Sequence, residues 1–388
     1  MWFTVSRRAA CIFGVNHPKH SSFPFVICRH FSYTTDFKSN ITDGIAEKVG
    51  RNLHLQKSHP LFIIKSKIED HFKATDPSFR TFDDMSPYVT TTACFDELLV
   101  APDHISRAAT DTFYKEPDIV LRTHTSAHQT DLLRKGHTAF LATGDCYRRD
   151  EIDSSHYPVF HQMEGVRVWP KEDISDEAVM DHLTASLEGM VDSIFGKVEK
   201  RWVDAYFPFT DPSLELEVFY NNEWLEVLGS GMIQAGVMEK AGLESTRKGW
   251  AFGIGLERLA MVLFKIPDIR LFWSTDKRFL SQFESGDIVE FKEFSKYPPC
   301  FKDVSFWLDD KEAMHPNDFY AIVRDSAGDL VEHVEVVDEF THPKTGRFSR
   351  CYRVTYRSLE KTLTNDNINE LYFSLRSELS KVPGVKLR

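Results

Sequence analysis

The sequence predicts an α+β protein: an antiparallel β-sheet flanked by helices, followed by a smaller β-α-β-β-α-β unit. Three observations predict it. Strand-like segments follow one another between residues 139 and 255 without the regular strand–helix alternation of a parallel sheet. Segments with helical spacing, at 60–72, 173–196 and 256–266, fall before, among and after those strands. Beyond Pro298-Pro299 the pattern restarts as strand, helix, two strands, helix and strand.

Each element has a local reason. Pro60 suits a first helical turn, and Leu61, Ile64, Ile68 and Phe72 then share one face. Asp76-Pro77 and Ser86-Pro87 mark a loop region, and TDLLRKG (130–136) reads as a short helix closed by Gly136. AFLATGDCYRR (139–149) reads as a strand and PVFHQMEGVRVW (158–169) as its antiparallel partner. Polar DEIDSSHY (150–157) is the long loop between them. Residues 173–196 form a helix with an acidic start and a stop at Gly196. Strands are predicted at 201–209, 214–220 and 224–233, and GWAFGIG (249–255) runs into a helix at 256–266. The charged stretch 283–299 reads as a linker. After it come strand CFKDVSFWL and helix NDFYAIVRDSAG, then the hairpin LVEHVEVVDEF/RFSRCYRVTYRSL across HPKTG. Helix NINELYFSLRSELSKV and strand GVKLR complete the series.

Composition bounds the function. A length of 388 residues suits two or three domains, and 42% hydrophobic with 27% charged residues is ordinary for a soluble globular chain. No apolar run is long enough to span a bilayer. The formal net charge is -11, so a nucleic-acid partner requires a local basic surface. The six cysteines form no CxxC pair and give neither a disulfide nor a zinc framework, which suits a reducing compartment. The first 35 residues carry Arg7, Arg8, Lys19 and Arg29, and no acid precedes Asp36. That is the composition of an organelle transit peptide, with Arg29–Ser32 suggesting a cut after Phe31.

Several familiar signatures are missing. There is no GxxxxGK[ST] and no HExxH, and Gly253-Ile254-Gly255 lacks the third glycine of a dinucleotide fingerprint. His124 and His128, four apart, leave a metal hydrolase as a rival, but Thr and Ser surround them and no acidic third ligand is obvious. The densest chemistry lies in GDCYRRDEIDSSHYPVFHQMEG (144–165). An arginine fork (Arg148) and an imidazole (His156) on one hairpin can hold phosphates. Phe160 can stack on a base, and Gln162 and Glu164 share its face because strand side chains alternate.

This pattern, R-x-D, a loop, H-x3-F-x3-E and later G-x-G-x-E-R, resembles motifs 2 and 3 of the class II aminoacyl-tRNA synthetases. LRTHTSAHQ (121–129), YFPFTDPS (206–213) and GWAFGIGLERLAMVLFKIPDIRLFW narrow the resemblance to phenylalanyl-tRNA synthetases of the single-chain organellar type, from about Ile45 to Arg388. The HIGH and KMSKS signatures of class I are absent. The resemblance implies a leader at 1–35, a class II catalytic domain at 36–285, a linker at 286–297 and a ferredoxin-like anticodon-binding domain at 298–388. It implies that phenylalanine is activated with ATP and Mg2+, without zinc or a prosthetic group, and is passed to the terminal 2′-hydroxyl of tRNA-Phe. The expected location is the mitochondrial matrix, with plastid or dual targeting as the alternative.

The same resemblance implies residue roles. Arg148 meets the ATP α-phosphate and the phenylalanine carboxylate, and Phe160 stacks on adenine. Ser155, His156 and Tyr157 lie near ATP, His156 toward the γ-phosphate; Arg258 takes the far phosphates, and Glu226 faces the nucleotide and its metal. Arg148, Arg258 and His156 form the catalytic set. Ser126, Ala127, His128, Gln129, Gln162 and Glu164 surround the substrate's polar end. Phe207 and Phe209 meet its ring edge-to-face, and Ala251 and Phe252 end the pocket. The motif 1 match is weak, reducing to HPLFIIKSKIEDHF and a loop around Pro87, which favours a monomer. An apolar pocket rejects an extra hydroxyl only by about 10², and no stretch is left for an editing module, so weak discrimination against tyrosine is expected. In the C-terminal unit Lys344, Arg347, Arg350, Arg353, Arg357 and Lys361 lie on one hairpin arm with few acids nearby, a stripe suited to tRNA phosphates or, alternatively, to a solvated edge strand protected against aggregation. Phe348 and Tyr352 are candidates for base stacking or for the core. The Pro298-Pro299 junction suggests that the terminal domain swings to engage tRNA.

Overall fold

Two antiparallel layers account for most of the chain in the computed structural model, which describes residues 37–243, 246–294 and 297–388. The transit peptide expected at 1–35 lies outside the described residues. The first layer is a seven-stranded sheet. Its strands are β1 (Arg80–Phe82), β2 (Ala139–Tyr147), β3 (Val159–Pro170), β4 (Lys200–Phe207), β5 (Thr210–Tyr220), β6 (Glu223–Ile233) and β7 (Arg247–Gly255). Their order is β1-β2-β3-β7-β6-β5-β4, and every pairing is antiparallel except β1 with β2.

Three helices cover one face: α1 (Pro60–Thr75), α2 (Asp176–Phe195) and α3 (Leu256–Phe264). Helix α1 starts where predicted, with Pro60 in the first turn and the His59 ring accepting from the Leu61 amide at 3.2 Å. Ser175 caps α2 at the Ala178 amide (3.1 Å), Asp176 and Glu177 occupy its first turn, and Gly196 at φ +76° ends it. Leu61, Ile64, Ile68 and Phe72 of α1 pack with Leu183 and Leu187 of α2 and with Met163, Trp250 and Phe252 of the sheet. The other sheet face carries a second core, in which Val166, Val168, Phe207, Phe209 and Ala251 meet Phe95, Leu98 and Leu132.

The stretch expected as a linker is anchored over its first part. Phe291 is buried in the catalytic core, and its amide donates to the Phe264 carbonyl at 2.6 Å. The C-terminal unit then follows the predicted order: β8 (Cys300–Leu308), α4 (Pro316–Ala327), β9 (Val331–Thr341), β10 (Phe348–Tyr356), α5 (Asn365–Leu379) and β11 (Val385–Leu387). Its sheet runs β9-β10-β8-β11, antiparallel throughout, with both helices packed on one face. Tyr352 belongs to that core, stacked on Phe319 at 3.9 Å between ring centroids, so base stacking by Tyr352 is excluded.

The β2–β3 loop docks on this second unit. Ile152 is buried among its apolar residues, and the Ile152 carbonyl accepts from the Val334 amide at 3.0 Å. Arg324 donates to the Glu151 carbonyl (2.6 Å), Asn317 to the Arg149 carbonyl (3.0 Å), and the Tyr157 hydroxyl to Asp329. Arg149 pairs with Asp318 at 2.9 Å. A cavity of about 230 Å³ remains between the units, lined by Lys48, Arg149, Asp153, His156 and Arg324 among others. Ile152→Ala removes the apolar knob at the cost of about 2–4 kcal/mol in docking. The expected outcome is a larger radius of gyration in small-angle scattering with unchanged circular dichroism; an unchanged scattering profile would show that the polar contacts suffice.

Candidate active site

Strand alternation decides which side chains reach the site. On β3, Val159 and Met163 pack toward the helices while Val166 and Val168 face the second core. Phe160, Gln162 and Glu164 therefore stand on the face opposite α1, α2 and α3. On β7, Trp250, Phe252 and Ile254 pack toward the helices, which leaves Gly249, Ala251, Gly253 and Gly255 on the site side. The floor of the site is thus nearly bare of side chains. Two glycines are required by close approach. A Cβ on Gly229 would lie 2.6 Å from Cζ of Phe207, and one on Gly144 would lie 2.0 Å from Nη2 of Arg122.

Arg148 follows the end of β2. Its Nε donates to the Thr123 carbonyl at 2.9 Å, and its guanidinium lies 5.0 Å from the Phe160 ring centroid. Its Nη2 is buried without a partner, and it makes no ion pair among the described residues. Burial lowers its pKa from the usual arginine value. The surface salt bridge to Asp150 that is commonplace for such a sequence is not formed, so the fork is free for an anion from outside. Phe160 belongs to neither core and is half-buried.

Arg258 sits in the first turn of α3, with Nη1 3.8 Å from Oε2 of Glu226. Sequence reasoning left its neighbour Glu257 without a role. That carboxylate accepts from the His161 amide and meets His161 Nδ1, both at 2.7 Å, so it pins α3 to β3. In the loop, Asp153 accepts from the Ser155 and His156 amides at 2.7 and 2.8 Å and meets His156 Nδ1 at 2.7 Å. The hydrogen bond to Asp153 is the main reason that His156 is raised to about 9, so it is an imidazolium at neutral pH. Burial opposes ionisation of Asp153, but His156 and the Ser155 amide hold its carboxyl well below the usual range. Tyr157 departs from expectation: its hydroxyl is spent on Asp329 and its ring stacks on Trp273, so it belongs to the contact between units.

At the other end stands Glu164, fully buried, with neither carboxylate oxygen hydrogen-bonded. Burial pushes it up to about 8, and the nearby Ser126 hydroxyl only partly offsets this. Thr125 Oγ1, Ser126 Oγ and Gln129 Oε1 are likewise buried without partners. Gln162 accepts from the Cys146 thiol at 3.5 Å. Phe207 and Phe209 lie 6.2 Å apart, 16° from parallel, in one apolar cluster with Ala127, Val166 and Ala251. Glu164 lies opposite Gly253, Gly253 opposite Gly229, and the Phe207 ring lies over Gly229, so an apolar cluster and an unpaired carboxyl group adjoin across a glycine row.

Two expected site residues and the basic stripe depart from expectation. Phe252 points toward the helices, stacked on Phe72 at 5.4 Å, because it neighbours Ala251 on a strand. His128 has its Nε2 2.9 Å from Nη1 of Arg122; burial and that cation lower it to about 4, so it is a neutral acceptor. The basic stripe is largely neutralised. Arg350 pairs with Glu339 (2.8 Å), Arg353 with Asp303 (2.8 Å), Arg357 with Glu332 (3.1 Å) and Arg347 with Asp309 (3.6 Å). Glu332 and Glu339 come from the facing hairpin arm, β9, and Asp303 and Asp309 from β8 and the residue after it.

Besides Glu257, sequence reasoning gave His124 and Arg122 no place in this site. His124 is buried with its ring 6.4 Å from Phe209, and burial, then Arg148, lower it to about 3. Arg122, also buried, donates to the Asp145 carbonyl and to Oδ1 of Asp145, both at 2.6 Å. The His-x3-His spacing was the available signal for His124. Neither histidine joins a group of three metal-ligating side chains among the described residues, which removes the hydrolase reading; the one such group is Asp150, Glu151 and His156.

The antiparallel sheet with this hairpin and Arg-bearing helix defines a class II aminoacyl-tRNA synthetase core. Residues 45–283 match the model of the tRNA synthetases class II core domain (F), and residues 295–388 match the ferredoxin-fold anticodon binding domain. The Arabidopsis thaliana phenylalanine–tRNA ligase, chloroplastic/mitochondrial, is 51% identical over 91% of this chain and 83% of its own length. The mitochondrial phenylalanine–tRNA ligase of Mus musculus is 46% identical (92% and 87%), and that of Saccharomyces cerevisiae 39% (94% and 95%). The chain belongs to the phenylalanine–tRNA ligase family.

The elevated Glu164 makes a stability prediction. Its folded pKa, about 8, exceeds the ordinary 4.5, so the neutral carboxyl's full contribution is present below pH 4.5 and is lost as pH rises to 8. Glu164→Gln should therefore stabilise the ligand-free protein at pH 8 relative to pH 4.5, by about 3–5 kcal/mol. Thermal melts of both proteins across that range check it; parallel curves would contradict the buried, unpaired state of Glu164.

Proposed function

We propose that this chain activates L-phenylalanine with ATP and transfers the phenylalanyl group to the terminal 2′-hydroxyl of tRNA-Phe in an organelle. The observation that carries the reading is the pairing of an uncommitted arginine, Arg148, with an unpaired carboxyl, Glu164, beside the Phe207–Phe209 slot. A zwitterionic amino acid with a benzyl side chain answers all three. Its ammonium satisfies Glu164, which can only accept once ionised. Its carboxylate and the α-phosphate meet Arg148, and its ring enters the slot.

The chemistry follows from positioning. A carboxylate oxygen attacks the α-phosphorus, the bond from that phosphorus to the bridging oxygen breaks, and pyrophosphate leaves with the electron pair. No protein nucleophile is required. Arg148 offsets charge on the α-phosphate, while Arg258 and the His156 imidazolium serve the leaving phosphates. Phe160 supplies a flat face for adenine. Nucleotide-bound Mg2+ supplies further charge neutralisation. Glu226 fits such an ion as one hard oxygen donor, since Mg2+ retains phosphate and water ligands. In the second step the ribose 2′-hydroxyl oxygen attacks the carbonyl carbon, the bond from that carbon to the AMP phosphate oxygen breaks, and the hydroxyl proton passes to the departing phosphate.

A monomer is supported by α1, whose apolar face, including Leu61, Ile64, Ile68 and Phe72, is buried within its own chain. Tyrosine should be activated with a penalty of only about 10², because the slot is apolar and the added group is one hydroxyl. ATP–pyrophosphate exchange across the twenty amino acids tests specificity, with phenylalanine expected first and tyrosine second. Arg148→Ala should lower exchange by about 10²–10³ without changing the fold, the usual effect of removing one transition-state donor. Exchange at wild-type rate in that variant would refute the assignment. Rapid deacylation of tyrosyl-tRNA by the purified protein would refute the expectation that it does not edit.

A further inference from the structure

Arg122 is 1% exposed and lies outside the set of residues that meets the substrates. Its hydrogen bonds nevertheless close around that set. Nε donates to the Asp145 carbonyl and Nη2 to Oδ1 of Asp145, both at 2.6 Å. Nη1 donates to the Met85 carbonyl at 3.2 Å and to His128 Nε2 at 2.9 Å. Every nitrogen of the fork is therefore engaged, and one guanidinium joins β2 to two separate loop segments.

The clamp is closed from the other side as well. The buried Tyr147 hydroxyl donates to Oδ2 of Asp145, and the Tyr147 amide donates to the Arg122 carbonyl at 2.9 Å. The Arg122 amide in turn donates to the Pro87 carbonyl at 2.9 Å. Burial opposes ionisation of Asp145, but Arg122 and then the Tyr147 hydroxyl hold its carboxyl below the usual range. For stability alone such a buried ion pair is a poor device, because apolar groups of similar volume often serve as well or better. What it supplies is direction, since a planar fork meets its partners only at fixed angles.

Direction matters at two places. Arg148 follows Tyr147, and Thr123, whose carbonyl accepts from Arg148 Nε at 2.9 Å, follows Arg122. The segment from Arg122 to His128 is also tied at both ends to the Arg122 guanidinium, and between those ends it carries Ser126, whose hydroxyl neighbours Glu164. We propose that Arg122 is a positioning residue for the adenylation step: through Asp145 and the Thr123 carbonyl it aims the Arg148 fork, and through His128 it fixes the Ser126 wall at the separation one substrate spans. The inference rests on the ligase reading and names the residue that sets the distance between the site's two charged ends. Arg122→Lys keeps the charge, but its single nitrogen cannot hold Asp145, Met85 and His128 together. Asp145→Asn loosens the clamp from the opposite side.

The test measures phenylalanine-dependent pyrophosphate exchange by the full chain, with competent sites counted from the adenylate formed in a single turnover. Misplacing a reacting group by about 1 Å costs about 10²-fold, so kcat per competent site should fall about 10- to 100-fold in Arg122→Lys and in Asp145→Asn. The KM for phenylalanine should rise in both, because the carboxylate and ammonium contacts no longer match one substrate. Since Arg122 acts on kcat through Arg148, adding Arg122→Lys to Arg148→Ala should lower kcat by no more than about threefold further, a strongly non-additive cycle. If Arg122→Lys loses its fold by circular dichroism, Asp145→Asn and its double variant with Arg148→Ala decide. A merely structural role predicts fewer competent sites with kcat and KM per site unchanged, and losses that multiply with Arg148→Ala; either result would overturn the inference. Absence of exchange by the wild type would instead refute the ligase reading, and this inference with it.

Discussion

The register of the β2–β3 hairpin is the constraint on which the rest depends. Side chains alternate along a strand, so a slip of one residue would exchange Phe160, Gln162 and Glu164 for His161 and Met163 on the site face. Two forces hold the register. Val159 and Met163 are buried under the helices, and Glu257 grips His161 through both its amide and its ring. The second of these fixes two things together, because Glu257 immediately precedes Arg258 at the start of α3. The same contact that sets the hairpin therefore sets the far-phosphate arginine against it.

The site departs from the rule that buried polar groups find partners. Glu164, Thr125, Ser126 and Gln129 have buried oxygens without hydrogen bonds, and Arg148 a buried nitrogen. Each such group costs about 1–3 kcal/mol. The expense is tolerated because two apolar cores hold the walls, and it makes the empty site receptive to a ligand with matching charges. The glycine floor serves the same end. Gly229 lets Phe207 lie against β6, and Gly144 lets the Arg122 guanidinium cross β2 to reach Asp145.

One loop serves both units. Residues 150–157 carry His156, held as an imidazolium by Asp153, and also Ile152, buried in the C-terminal core. A nucleotide that engages His156 and a domain that engages Ile152 act on the same short segment. The two events are therefore linked through the loop's conformation, and by reciprocity each must influence the other's affinity if the loop has two arrangements.

The α+β class, the strand order along the chain and the helix ends were legible because they follow from period, proline and glycine, as Pro60, Gly196 and Gly328 illustrate. The family was legible because Arg148, Phe160, Glu164 and Arg258 occur in a fixed order with chemically constrained spacing. What sequence alone could not decide was the partner of each charge and the face of each ring. Arg353 looks free until β8 brings Asp303 against it, Phe252 looks like a pocket residue until its strand turns it to Phe72, and Tyr157 looks like part of an ATP loop until Asp329 arrives from 172 residues away. Local pattern reports only neighbours along the chain, whereas pairing and burial are set by strands and domains that folding brings together.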